Sequence, residues 1–350
     1  MTTPAEAADV RPSGESPIRL GLIGCGRFAR GHLAALADMS DRATVVATAD
    51  PDLDHAREAA KTCGAQTVVA DYHDMLDKVD AALVVVPHHL HHEIGAAVLD
   101  AGKHLFIEKP LCNTEDECLD LIARAERAQR TLMTGYVLRY HPLVERFHQL
   151  VTEETYGPAF HITLVTEQYL PVDPGHWRAN EATRGGGAFF SHGCHYIDLL
   201  LWFLGRPVRG THLGTHSGTP WSNVETTSHS VLEFDSGAIG HHFETEGSRA
   251  PKGAGRFRAH CAEGVLELSL AQGELKLWTP EGPQLLESAD RGSKYVSGEL
   301  THFLDCLSTG ARPLTDGPRS LQSLRVIWAL QNASENGAVA DLRGFGLEDA

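Results

Sequence analysis

The stretch that most constrains this chain is a strand, a turn and a helix near its start. An apolar run from Ile18 to Ile23 leads directly into Gly24-Cys25-Gly26-Arg27-Phe28-Ala29, and Leu33, Leu36 and Ala37 follow at helical spacing. In a G-x-G-x-x-A turn the first glycine permits the tight bend, and the second lets the backbone approach a pyrophosphate. The small third residue lets helix pack on strand. The amino end of the helix adds N–H donors and partial positive charge for the phosphates. Gly24, Cys25, Gly26, Arg27 and Phe28 are therefore candidate cofactor-binding residues.

A second strand, Thr44 to Thr48, ends at Asp50, within loop variation of the place where an acid hydrogen-bonds an adenosine ribose, roughly 20 residues past the glycines. A carboxylate there would repel a 2′-phosphate, which favours NAD over NADP. Asp50-Pro51-Asp52 can equally open a turn and cap the next helix. The alternation then continues: helix Leu53 to Thr62, strand Thr67 to Val69, a short helix near Met75, strand Ala81 to Val86 and helix His91 to Asp100. Strand His104 to Ile107, helix Glu115 to Gln129 and strand Leu132 to Thr134 close the set. Repeated strand-helix units of this length indicate a parallel sheet with right-handed crossovers. Glu108-Lys109-Pro110 follows the fifth strand and stands at the mouth of the crevice where such sheets bind ligands. The segment Pro87-His88-His89-Leu90-His91-His92 straddles a strand-to-helix turn with spacing too crowded for a helical metal site, so we expect a loop lining the cofactor and no metal.

From about Pro142 the pattern changes. A helix around Leu143 to Val151 and a strand Phe160 to Tyr169 precede a polar loop, the run Gly185-Gly186-Gly187 through Asp198, and the apolar helix Leu199 to Leu204. Strands near 208–213, 226–234, 238–245, 256–261, 265–270 and 274–278, joined by short glycine turns, predict a mostly antiparallel sheet. Two helices, Gly298 to Leu307 and Ser320 to Gln331, close it. The expected fold class is α/β, with a dinucleotide-binding domain over 17–141 and an α+β domain with an open sheet over 142–350. Residues 1–16, rich in Ala, Glu, Thr and Pro without an apolar core, read as a disordered leader and not a secretory signal.

With 30 Lys+Arg against 46 Asp+Glu, the net charge of −16 argues against nucleic acid or an anionic membrane as the main partner. Seven cysteines without a C-x-x-C pair read as reduced thiols, and with no spanning run the expected location is cytoplasmic.

Assembled, these residues resemble the Gfo/Idh/MocA family, named for glucose-fructose oxidoreductase, inositol dehydrogenase and rhizopine catabolism. The resemblance runs from about Ile18 to Leu342. It is carried by Gly24-x-Gly26-x-x-Ala29, by Ala101-Gly102-Lys103-His104 leading to Glu108-Lys109-Pro110, by Arg139-Tyr140-His141-Pro142, and by Gly185-Gly186-Gly187 to Asp198. The turn Thr309-Gly310-Ala311-Arg312-Pro313-Leu314 fits as well. The resemblance implies a Rossmann domain, a second domain whose open sheet often mediates homo-oligomers (here a homodimer or homotetramer), and hydride transfer between nicotinamide and a hydroxyl-bearing carbon of a sugar or cyclitol. It implies catalytic roles for Lys109 and His195, with a Lys109–Pro110 peptide that is frequently cis. Pro87 and His91 match a family motif beside the cofactor, Glu108, Lys109 and Arg139 are further candidates for the cofactor pocket, and Trp177, Arg178, Ser191 and His192 are candidates for the substrate.

One departure stands out. Ser191 occupies a position where the family often has an aspartate, and a serine cannot hold the charge that orients an imidazole. Either His195 works with a neutral neighbour or His192 or Asp198 takes part of that role. In the expected oxidation His195, kept neutral by the helix dipole, accepts the hydroxyl proton while Lys109 stabilises alkoxide character. The alternatives are a glycoside lyase or hydrolase that recycles its NAD, and a non-catalytic nucleotide sensor.

Overall fold

The computed structural model describes residues 16–173, 175–250, 255–292 and 294–346. The expected leader, apart from Ser16, lies outside the described residues. They divide into two compact units, one of 16–136 with 296–318, the other of 137–295 with 319–346.

The first unit alternates β1 (Ile18–Ile23), α1 (Ala29–Ala37), β2 (Ala43–Ala49), α2 (Leu53–Cys63), β3 (Thr67–Val69), a 3-10 turn (Tyr72–Lys78) and β4 (Ala81–Val84). It continues with α3 (His91–Asp100), β5 (His104–Glu108), α4 (Glu115–Ala128) and β6 (Leu132–Gly135). All six strands are parallel in the order β3-β2-β1-β4-β5-β6, so the strand order reverses beside β1. The central strands are buried on both faces, with Leu20, Leu22, Ala81 to Val84 and Leu105 to Ile107 all at 0% exposure, as strands covered by helices on two sides must be. Local chemistry sets the helix ends. Asp52 caps α2 by accepting the Asp54 N–H, Gly64 closes it in the left-handed region at φ 77°, and Thr114 and Glu117 form a reciprocal capping box on α4.

The linear boundary at 141/142 misses one element. Helix Val296–Thr309, expected in the second domain, packs in the first unit: Phe303 meets Phe106 edge to face at 5.6 Å, and Arg42 pairs with Asp305 at 2.6 Å. The chain then runs antiparallel past β6, where the Thr134 N–H donates to Thr315 O and the Thr315 hydroxyl to Thr134 O, both at 2.8 Å. An edge strand otherwise presents unpaired backbone groups, and this segment covers them.

The same helix buries Glu299 completely. Burial, then the negative charge of Glu108, holds its carboxyl well above the ordinary range. A carboxyl that binds its proton more tightly folded than unfolded stabilises the fold at low pH and loses that contribution as pH rises. Glu299→Gln is therefore expected to gain on the parent by up to about 1.4 kcal/mol per pH unit above the unfolded carboxyl pKa. Thermal unfolding of both proteins at about pH 5 and about pH 8 checks this; parallel pH dependences would remove Glu299 as the responsible group.

The second unit opens with a 3-10 turn (Val137–Tyr140), α5 (Pro142–Thr152) and β7 (Ala159–Glu167). Three short elements follow: a 3-10 turn (Trp177–Ala179), α6 (Glu181–Arg184) and α7 (Ala188–Ser191). Then come α8 (Cys194–Leu204), β8 (Pro207–Thr215), β9 (Thr227–Phe234), β10 (Ile239–Thr245), β11 (Arg256–Cys261), β12 (Gly264–Ser269), β13 (Glu274–Thr279), β14 (Gly282–Ser288) and, after helix Gly317–Glu335, β15 (Ala340–Asp341). The nine strands order as β14-β13-β12-β11-β7-β10-β9-β8-β15, antiparallel except where β7 and β10 run parallel. One face is apolar and covered, through Ile162, Leu164, Leu232, Leu266 and Leu268 at 0% exposure. The two edge strands were not legible in the sequence, because β14 is exposed or half-exposed throughout and β15 has two residues.

Candidate active site

In the first unit the site forms at the carboxyl ends of β1, β2 and β5. Gly24 has φ +87°, and a Cβ there would come within 2.3 Å of Val85 O, so the turn admits only glycine. At Gly26 a Cβ would meet nothing within 4 Å, which leaves the backbone open to a ligand. The amino end of α1 has no side-chain cap: Phe28 occupies the cap position and Arg27 is exposed beside it. Asp50 closes the turn. Its Oδ2 accepts the Cys25 N–H at 2.8 Å and its Oδ1 the Asp52 N–H at 2.9 Å. A carboxylate oxygen has two lone pairs, so each retains capacity for a further hydrogen bond, and the turn contacts of Asp50 leave room for a ribose hydroxyl.

Lys109 is half-buried and gripped through its backbone from both sides. Before it, the Glu108 carboxylate accepts the Lys109 N–H at 3.3 Å and pairs with His32 Nε2 at 2.9 Å. After it, the Lys109–Pro110 peptide is cis, and Pro110 O lies 2.8 Å from His91 Nδ1. His91 Nε2 is 3.1 Å from Val86 O, and burial holds the ring's pKa down. The neutral ring carries one N–H and so donates to one carbonyl only, Pro110 O by the shorter distance, and His91 packs as a buried strut between Val86 and the lysine's segment. Its neighbours disperse: His92 pairs with Asp120 at 2.8 Å, and His88 meets His91 edge to face. Among the described residues no three His, Cys, Asp or Glu side chains form a cluster that could hold a metal ion.

In the second unit the glycine-rich segment leads into α7 and α8. His195 is the second residue of α8, 7% exposed, with its backbone N–H donating to His192 O at 3.1 Å. Asp198 is not its partner. One turn further on, Asp198 receives the fork of Arg139, Nε to Oδ2 at 2.6 Å and Nη2 to Oδ1 at 2.8 Å, with both side chains 1% exposed. Arg139 also lies over the Trp202 ring at 4.9 Å. Its guanidinium is thereby committed to the interior of this unit, which leaves the expectation of a cofactor-pocket role for Arg139 without geometric support. Burial raises the Asp198 carboxyl, against the pull of Arg139.

Ser191 is likewise buried, and its hydroxyl accepts from Arg184 Nε at 2.8 Å. Arg184, 2% exposed, is forked onto Glu246. Trp177 and Arg178 stand half-buried, the guanidinium 5.3 Å from the indole centroid. His192 carries a carboxylate partner that sequence reading missed: Glu244 Oε2, 2.9 Å from Nδ1. The signal was present in β10 and just beyond it, where His242, Glu244 and Glu246 alternate at inward positions normally given to apolar side chains.

The two units match known sequence families separately. Residues 18–136 fit the GFO/IDH/MocA oxidoreductase family with an NAD-binding Rossmann fold, and residues 144–267 fit the GFO/IDH/MocA C-terminal domain. The chain belongs to the Gfo/Idh/MocA family. Within it, the chain is 29% identical over 331 residues to "D-xylose 1-dehydrogenase (NADP(+)) 2" of Haloferax volcanii, covering 92% of this chain and 98% of that one. It is 26% identical over 337 residues to a myo-inositol 2-dehydrogenase of Thermotoga maritima, covering 91% and 96%. The crystal structure of an aldose-aldose oxidoreductase from Caulobacter crescentus complexed with glycerol superposes with a TM-score of 0.84 at 25% identity, over 93% of this chain and 100% of that one. This Gfo/Idh/MocA protein is an NAD(P)-dependent oxidoreductase acting on CH–OH groups. Among its described residues no helix is long and apolar enough to cross a membrane.

Proposed function

We propose that the protein is an NAD-dependent dehydrogenase that transfers hydride between nicotinamide and a hydroxyl-bearing carbon of a sugar, a cyclitol or a close derivative. The observation that carries this reading is the grip on Lys109: a lysine fixed through its backbone on both sides, at the carboxyl end of β5, in the same unit as a glycine turn that fits a dinucleotide. The open backbone at Gly26 and the uncapped end of α1 would receive the pyrophosphate, with Asp50 toward the adenosine ribose. The bound nicotinamide supplies the hydride acceptor. Lys109 donates to the substrate oxygen and stabilises the negative charge that develops there, and His195 takes the hydroxyl proton. In reduction the same groups run in reverse. Trp177, Arg178 and His192 are assigned to the substrate.

Asp50 favours NAD, since an anchored carboxylate disfavours a 2′-phosphate. The Haloferax volcanii relative bears an NADP name, so both nucleotides belong in the test. Self-association is assigned to the uncovered face of the nine-stranded sheet, where Leu213, Val231, Ile239 and Trp278 are exposed.

A panel of pentoses, hexoses and inositols incubated with NAD or NADP, followed by nicotinamide absorbance, is expected to show net reduction of NAD with at least one member. Product formation without net reduction would point to internal recycling of the cofactor. Nucleotide binding without any turnover would replace the dehydrogenase reading with a sensor.

A further inference from the structure

Two buried carboxylates in and just beyond β10 face different partners. Glu246 faces a guanidinium: Arg184 Nη2 lies 2.5 Å from its Oε1 and Nη1 lies 3.2 Å from its Oε2, while Arg184 Nε reaches Ser191. It is paired where it stands. Glu244, two residues earlier and 1% exposed, faces an imidazole instead. Gln168 bears on the tautomer of that ring. Its amide nitrogen lies 2.9 Å from His192 Nε2 and 3.3 Å from Nδ1; as a donor over the shorter distance it makes Nε2 the acceptor, which assigns the ring proton to Nδ1, toward Glu244. The other Glu244 oxygen accepts the Ser228 hydroxyl at 3.2 Å. A Cβ on Gly193 would come within 2.4 Å of Phe189 O and 2.9 Å of that same oxygen, so the glycine lets the start of α8 approach both α7 and the carboxylate. His192 and His195 meet edge to face with ring centroids 5.9 Å apart.

We propose that Glu244 is a positioning residue for the reaction: it fixes the tautomer and orientation of His192 and sets a buried negative charge behind the His192–His195 pair, which makes the pair a better acceptor of the substrate's hydroxyl proton. The inference rests on the assignment of His195 as the base. In oxidation the O–H proton goes to the His195 imidazole, the C–H bond breaks, and its electron pair leaves as hydride to the nicotinamide. Glu244 binds neither proton nor hydride in that step.

The surroundings of Glu244 make its charge depend on pH. Burial is the largest influence, and Glu246 and Glu225 add repulsion, while Arg184 and the Ser228 hydroxyl act the other way; together they push the carboxyl up to about 8. Tyr196 and His242 face the same space; burial pushes the tyrosine well up and the histidine well down, so neither supplies charge near neutral pH. Below that range Glu244 is uncharged and the histidines lose its field. Above it the carboxylate is present and oxidation speeds up.

The test uses the full-length protein with NAD and the sugar or inositol of the panel that it turns over fastest. Above about pH 8, where the parent carboxylate is charged, Glu244→Gln is expected to lower kcat by about 10²-fold or more, to leave KM for NAD unchanged, and to abolish the rise of kcat with pH, with partial recovery in Glu244→Asp. Should the glutamine variant fail to fold, His192→Asn, which keeps an N–H toward Glu244, is expected to lose the same pH-dependent rise. A parent-like kcat and pH profile in the folded variant overturns the proposal. His195→Ala separates the two levels: if it leaves turnover intact, the underlying assignment of the base fails; if it abolishes turnover while Glu244→Gln does not, Glu244 alone is discarded.

Discussion

Lys109→Ala is expected to lower kcat by about 10²–10³-fold while the protein still folds and binds the dinucleotide. The size follows from the role. A preorganised donor aimed at developing charge acts where water is excluded, and its loss falls on the transition state more than on binding. The expectation that folding survives follows from the geometry. The Lys109 segment is held by Glu108 on the Lys109 N–H and by His91 on Pro110 O, and neither bond involves the lysine side chain. Lys109→Arg is not a conservative rescue, because a planar fork replaces a compact ammonium. Steady-state kinetics paired with dinucleotide titration checks the outcome. Unchanged turnover with intact binding would remove Lys109 from the mechanism.

The second large effect is on stability. Asp198→Ala strips the partner from a guanidinium that is 1% exposed, and breaking one side of a buried pair costs about 3–5 kcal/mol because the remaining charge is left uncompensated. The unfolding transition that carries the second unit should move down by roughly 10 °C. Replacing both partners by apolar residues, Arg139→Met with Asp198→Leu, should recover much of the loss, since the desolvation cost goes with the pair. Calorimetry on the single and double variants decides it. If the double variant is as unstable as Asp198→Ala, the cost of the single variant does not lie in an orphaned charge.

Most of the first unit could be read directly from the sequence. Its parallel strands are unbroken apolar runs, its helix ends carry their own caps, and the glycine at position 24 announces a backbone conformation that nothing else tolerates. The alternation of the second sheet was legible for the same reason, through inward positions such as Leu232 and Leu266. What could not be read was pairing at long range. Nothing local distinguishes Asp198, which belongs to Arg139 59 positions away, from a partner for His195. Glu244 reaches His192 across 52 positions, and only the oddity of titratable residues at inward positions of β10 hinted at it. Helix Val296–Thr309 likewise reads as an ordinary amphipathic helix, and its sequence does not say which unit's core it will cover.

That late helix has a consequence for how the protein is made. The nucleotide-binding unit lacks Phe303 against Phe106, and the backbone cover over β6, until the chain has grown past residue 316. At a synthesis rate of about 5–20 residues per second, roughly 10–30 s separate the emergence of β6 from that of its cover. During that interval the nascent unit exposes an apolar face and an open strand edge to the ribosome's surroundings, a window in which a chaperone has something to hold.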